Sequence, residues 1–163
     1  MNYRIEIKWG VIFIIMMLIW TFMEKLVGLH SQYISLHKVY SNLVLIPSVI
    51  IFVFALRDKK KNFYHGSMTY KEAFTTGFLV TVIIAVLSPI SQFIATEIIS
   101  PDYFSNIIRF NVKNEIMSQQ EAVKYFSLFN YMILSFIGAF VLGLLITSIV
   151  SAFVKSNKRH HRQ

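Results

Sequence analysis

The 163-residue chain contains no cysteine. That excludes disulfides, thiolate nucleophiles and cysteine-ligated zinc or iron–sulfur centres, and leaves the redox compartment unreadable. Its six glycines form neither a phosphate-binding loop nor a dinucleotide fingerprint, and a GxSxG nucleophile elbow is missing too. The five histidines show no ligand spacing: His30 and His37 flank a short loop, His65 stands alone, His160 and His161 lie in the tail, and no HExxH occurs. No metal, cofactor or catalytic residue is expected, and the chain reads as a non-enzyme. Acidic residues are scarce, 8 against 16 Lys and Arg. The resulting net charge of +8 invites a nucleic-acid partner. The basic residues, however, gather at the ends of hydrophobic segments, where membrane orientation is decided, so no nucleic-acid partner is expected.

What is abundant is apolar sequence, 55% of the chain. It is concentrated in four uncharged stretches: Trp9 to Met23, Val39 to Leu56, Ala73 to Thr96 and Phe126 to Val154. With the first continued to Leu29, each can cover a hydrocarbon core that needs about 20 helical residues. The fold class that follows is all-α, an integral membrane four-helix bundle. Residues 1–163 form a single transmembrane domain, with helices at about 9–29, 39–56, 70–96 and 119–154 and a basic tail at 155–163. The opening MNYRIEIKWG has the flavour of a signal peptide, but Glu24 and Lys25 follow without a small-x-small cleavage pattern, so a retained first helix is expected.

Four crossings put eleven Lys and Arg on the side of the termini and five on the other. The positive-inside rule then places both termini in the cytoplasm of an inner-membrane protein. The basic runs Arg57 to Lys61 and Lys155 to Arg162 are expected to anchor that topology and to meet anionic headgroups of the lipid bilayer.

Within the helices, Pro47 and Pro89 each remove a backbone hydrogen bond, so kinks are expected there. Ser88, Ser91 and Gln92 are placed to satisfy the carbonyl freed by Pro89. Thr69-Tyr70-Lys71-Glu72 reads as a capping box opening the third helix. Ser100-Pro101-Asp102 reads as a helix start, and Phe104, Ile107, Ile108, Val112 and Ile116 recur at helical spacing behind it. A short amphipathic helix is therefore expected between helices three and four, flat on the membrane or packed over the bundle mouth. A second box, Ser118-Gln119-Gln120-Glu121, predicts one continuous last helix of about 36 residues.

Two stripes of small residues recur at spacing four: Ala73, Gly77, Thr81 and Ala85 on helix three, and Ser135, Ala139, Gly143, Thr147 and Ser151 on helix four. Each makes a shallow groove for a neighbouring backbone, so the stripes are expected to meet each other or a second copy. Ionisable groups within lipid are costly, which singles out Glu24 and Glu97. Both fall near the outer interface. One reading is solvated helix ends; the other is a polar cluster of Glu24, Gln92 and Glu97, with Lys25, His30, His37 and Lys38, that binds a cation, proton or small solute.

The segment ALRDKKKNFYHGSMTYKEAFTTGF, the proline-bearing third helix and ISPDYF resemble the bacterial membrane proteins grouped as domain-of-unknown-function family 4199. The similarity rests on the order of the four hydrophobic segments, the Arg-Asp-Lys turn after helix two, and Met68-Thr69-Tyr70 with Phe74 and Gly77 at the opening of helix three. It implies a fold and a location, and no site residues.

Two roles follow. The first is helix association without catalysis, as a homo-oligomer or as a subunit of a membrane complex. The alternative is an oligomeric transporter or channel-like component with a polar site near the outer ends of helices one and three. A cavity shared by Gln92 and Glu97 would favour transport; a dry core would favour association.

Overall fold

A computed structural model describes residues 3–156. The basic tail beyond them, with Lys158, Arg159, His160, His161 and Arg162, lies outside the described residues. Four helices are long and apolar enough to cross a membrane, and no strand occurs among the described residues. The chain is a multi-pass membrane protein.

Helix α1 runs over Arg4–Leu26. The second span is composite: α2 (Ile34–Tyr40), a 3-10 turn (Ser41–Val44) and α3 (Leu45–Asn62). The third is α4 (Tyr70–Phe93), continued by a π-helical segment (Ile94–Ile99). Two short helices follow, α5 (Tyr103–Lys113) and α6 (Gln119–Tyr125), before the last span α7 (Leu128–Val154). In the bundle α4 packs most extensively on α7; α1 lies against α3 and α4, and α3 against α7. We call the end holding Arg4 and Val154 the terminal end, and the end covered by α5 and α6 the cap end.

The α4–α7 seam is the tightest part. The two small-residue stripes face each other, so that Gly77 lies against Thr147 and Gly143 against Thr81. The two threonine hydroxyls meet at 3.3 Å in the centre. A Cβ on Gly77 would stand 2.5 Å from Thr147 Cγ2, so the backbones approach as closely as they do only because no side chain intervenes. Phe52, Ala55, Leu56, Met68, Val80 and Ile84 fill the core beside this seam. The outward faces carry large apolar residues such as Ile46, Val86, Phe129 and Phe153, the surface that lipid covers.

Several boundaries differ from the sequence reading. Helix α1 ends at Leu26 rather than Leu29, because Gly28 takes φ +82°. The Leu29 amide then bonds the Glu24 carbonyl and the Gly28 amide bonds that of Lys25, the paired closure of a Schellman motif. Pro47 lies in the first turn of α3, where a missing amide costs least. The chain tightens into the 3-10 turn just before it, a change of helix type rather than a break in mid-helix. At Pro89 the Ser88 hydroxyl bonds the Ile84 carbonyl at 2.8 Å, one residue short of the Ala85 carbonyl that proline leaves free.

The expected continuous last helix is two helices. Ser118 and Glu121 do form a capping box, but it opens only α6. Phe126 leaves helical geometry (φ −87°, ψ 59°) and buries its ring with Ile34, Tyr103, Ile107 and Ala122. Ser127 then caps α7, and the Asn130 amide group donates to the Tyr125 carbonyl at 2.8 Å. Burial of one phenylalanine in the cap, with its freed backbone groups paired nearby, outweighs helix continuation. Helix α5 packs over the bundle mouth rather than lying free on the membrane surface, with Ile107 turned inward. The Thr69–Glu72 box opens α4 as expected.

Candidate functional site

At the cap end Glu24 is buried, 7% exposed. Its Oε1 accepts hydrogen bonds from Trp20 Nε1 at 2.8 Å and Ser41 Oγ at 2.5 Å. Its Oε2 faces two imidazoles, His30 Nε2 at 3.5 Å and His37 Nε2 at 3.9 Å. The Schellman turn at Gly28 reverses the chain and brings His30 back over the end of α1, while α2 delivers His37 from its second turn.

Each imidazole is also held from behind. His30 Nδ1 lies 2.9 Å from Ser100 Oγ, and His37 Nδ1 lies 3.5 Å from the Tyr103 hydroxyl. The Asn106 side chain donates to the His30 carbonyl at 3.0 Å. The Tyr103 ring packs against both imidazoles, with centroids 5.0 and 5.1 Å away. Burial pushes the Tyr103 phenol above its ordinary ionisation range, so it serves as a neutral hydroxyl. Ser100, expected as a helix cap, is instead turned onto His30, and α5 starts without a side-chain cap.

A cavity of about 180 Å³ opens beside the cluster, lined also by Gln92, Thr96 and Tyr131. A second, of about 300 Å³, lies deeper between the helices, where Phe13, Phe52 and Ile84 alternate with Ser48, Ser88, Ser91 and Ser135. Both share Gln92, Met17, Thr21, Val44 and Ala95. Together they lead from the cap end into the middle of the bundle. Gln92 lines both cavities, whereas Glu97 lines neither, so the cavity shared by the two that was expected of a transport role is formed on the Gln92 side alone.

Of the polar residues grouped from sequence, the fold unites Glu24, His30, His37 and Gln92. Glu97, Lys25 and Lys38 are exposed and outside the cluster. Hydropathy counting gives depth along a helix but not direction around it. Sequence placed Glu24, His30 and His37 in one outer cluster by depth alone; that their ligand atoms converge depends on the chain reversal at Gly28, which their spacing does not announce.

A second charged group, missed from sequence, sits at the terminal end. Because α1 starts at Arg4, Glu6 is helical and 1% exposed, and it pairs with buried Lys59 at 2.8 Å. Lys8 pairs with Asp58, which also accepts from Trp9 Nε1 at 2.7 Å. Lys60 bonds the Val154 carbonyl at 2.8 Å. The basic run after the second span thus divides into Lys59 and Lys60, engaged inside, and Arg57 and Lys61, exposed.

The family described as "Protein of unknown function (DUF4199)" matches residues 8–156, nearly the whole chain. The chain belongs to that family. The match to DUF4199 spans all four crossings and the cap, so the Glu24 cluster lies within the family region. Neither a curated protein nor a solved structure matches the chain.

Proposed function

We propose that this DUF4199 protein is a solute- or cation-binding component of the bacterial inner membrane, with both termini in the cytoplasm and the cap end facing outward. The orientation rests on the excess of Lys and Arg at the terminal end. Binding rests on one observation above all: a buried carboxylate and two imidazoles border a cavity that continues, past Gln92, into the bundle. Ionisable groups inside a membrane protein facing an internal cavity mark ligand and ion paths far more often than packing. Pro89 and the π segment beside that cavity are the interrupted helix geometry that such sites use. Association as the main role has less support, since the small-residue stripes are occupied within the chain. Binding is proposed without catalysis, and Arg57 and Lys61 are proposed to meet anionic headgroups.

The absence of cysteine makes every introduced thiol unique. Gln92→Cys and Thr96→Cys should react with a charged, membrane-impermeant thiol reagent added outside intact spheroplasts, as should the exposed control Glu97→Cys. Val86→Cys, which faces lipid, should not. Reaction at position 97 alone would mean a closed core and would overturn the reading; reaction only after the inner face is exposed would invert the orientation.

A further inference from the structure

We propose that Glu24, His30 and His37 bind a divalent transition-metal ion of the zinc type through Glu24 Oε2 and the two Nε2 atoms. The proposal names the ligand class of the site just described and rests on that reading. Three observations carry it.

First, the three groups converge as ligands do. One ligand atom from each lies within 4.8 Å of the others, and the carboxylate-to-imidazole separations are 3.5 and 3.9 Å. Metal–ligand bonds of about 2.0–2.1 Å set tetrahedral edges of about 3.4 Å. The two carboxylate–imidazole edges need close by no more than about half an ångström, and the imidazole–imidazole edge lies within 4.8 Å. A separation of 3.5 Å is also too long for a good hydrogen bond, so the facing atoms are not optimised for each other.

Second, two of the three far atoms have close hydrogen-bond partners, and the third lies beside a hydroxyl. Glu24 Oε1 takes two donors, His30 Nδ1 meets Ser100, and His37 Nδ1 is near Tyr103. When the Ser100 hydroxyl accepts from the His30 Nδ1–H, Nε2 is left free to coordinate, the arrangement found behind metal-bound imidazoles. Here Ser100 is a positioning residue through its hydrogen bond to His30, and Tyr103 through the packing of its ring on both imidazoles.

Third, the donor chemistry selects the ion. Two imidazoles and one carboxylate suit zinc and its transition-metal neighbours, whereas calcium and magnesium require sets of oxygen ligands. Three protein ligands leave a fourth position, and the adjoining 180 Å³ cavity supplies room there for water or a solute group. A purely structural Glu–His pair needs neither that opening nor a second imidazole. With the charged ends of Lys25 and Lys38 outside the cluster, no resident ammonium competes for Glu24.

The test uses the full chain, purified in mild detergent, stripped with chelator and carrying His160→Ala and His161→Ala so that the tail pair cannot bind metal. Zn²⁺ is titrated against a chromophoric competitor, and the zinc-loaded protein is measured by X-ray absorption. One equivalent should bind, with two imidazoles and a carboxylate in the first shell. His30→Gln and His37→Gln should each weaken binding at least tenfold, and Ser100→Ala by about tenfold through its effect on His30. Should a histidine variant misfold, the absorption spectrum of the intact site still decides. Absence of stoichiometric binding, a shell lacking imidazole, or unchanged affinity in folded His37→Gln would overturn the proposal. Loss of the metal assignment with Gln92→Cys still reactive leaves solute binding standing; a closed core with zinc bound would remove the solute path and keep the metal.

Discussion

Replacing Gly143 by alanine adds one methyl group at the tightest point of the bundle. The new Cβ would stand 2.6 Å from Thr81 Cγ2 and 2.7 Å from Thr81 Oγ1. Thr81 and Thr147 are both fully buried, so neither can swing away, and α4 and α7 must separate by something near an ångström. Overpacking of this kind costs about 1–3 kcal/mol. Weakening the Thr81–Thr147 contact adds about 0.6 kcal/mol, the mean for interhelical hydrogen bonds in membranes. Better helix propensity returns up to about 1 kcal/mol. Gly138, one turn and a half earlier on α7, provides the control: nothing lies within 4 Å of its would-be Cβ, so Gly138→Ala should be neutral or stabilising by up to about 1 kcal/mol. The two variants should therefore differ by roughly 1.5–3.5 kcal/mol. Reversible unfolding in mixed micelles, followed by the fluorescence of Trp9 and Trp20, measures the difference. Adding Thr81→Ala to Gly143→Ala removes both clashing atoms and should recover part of the loss. Equal stability of the two glycine variants, or no recovery in the double variant, would refute the close-seam argument.

Two further outcomes follow from the charged groups. Glu6→Ala removes the carboxylate paired with the buried Lys59 ammonium and should cost about 3–5 kcal/mol in the same assay, whereas Glu6→Leu with Lys59→Met should cost much less; equal losses would show that the pair is not desolvated as described. At the cap, the Ser118 hydroxyl and amide donate to Glu121 and hold its carboxyl below the ordinary 4.5. A depressed folded-state value means that the box contributes fully at pH values above 4.5 and is lost as the pH falls through the lower folded value. The Ser118 amide shift, followed by NMR, should titrate with a midpoint below 4.5 and lose that transition in Glu121→Ala; a midpoint at or above 4.5 would contradict the hydrogen-bonded box.

Where function depends on a repeating local pattern, the sequence was readable. Spacing of four placed Gly77, Thr81, Gly143 and Thr147 on facing stripes, and the Thr69–Glu72 box marked the start of α4. Charge asymmetry and apolar length gave the four crossings. What resisted was set by direction and by loop geometry. Glu24 and Glu97 have similar apparent depths, yet the first faces inward and the second outward. Glu6 passed for a loop charge because α1 begins earlier than its uncharged stretch. The break at Phe126 depends on a pocket made by Ile34, Tyr103 and Ile107, residues remote in sequence whose meeting no local rule anticipates.

The widened turns at Ile94–Ile99 have a consequence for how the third crossing serves two masters. There the Ser100 amide reaches back five residues, to the Ala95 carbonyl at 2.9 Å, so the segment accommodates an extra residue relative to a regular α-helix. Deleting one residue there, for example the outward-facing Ile98, would let the ordinary winding resume and turn everything beyond it by about 100°. The seam with α7 would keep its registry, but Ser100 would swing off His30. A single inserted residue thus allows the lower part of this helix to be tuned for adhesion and its last turn for aim.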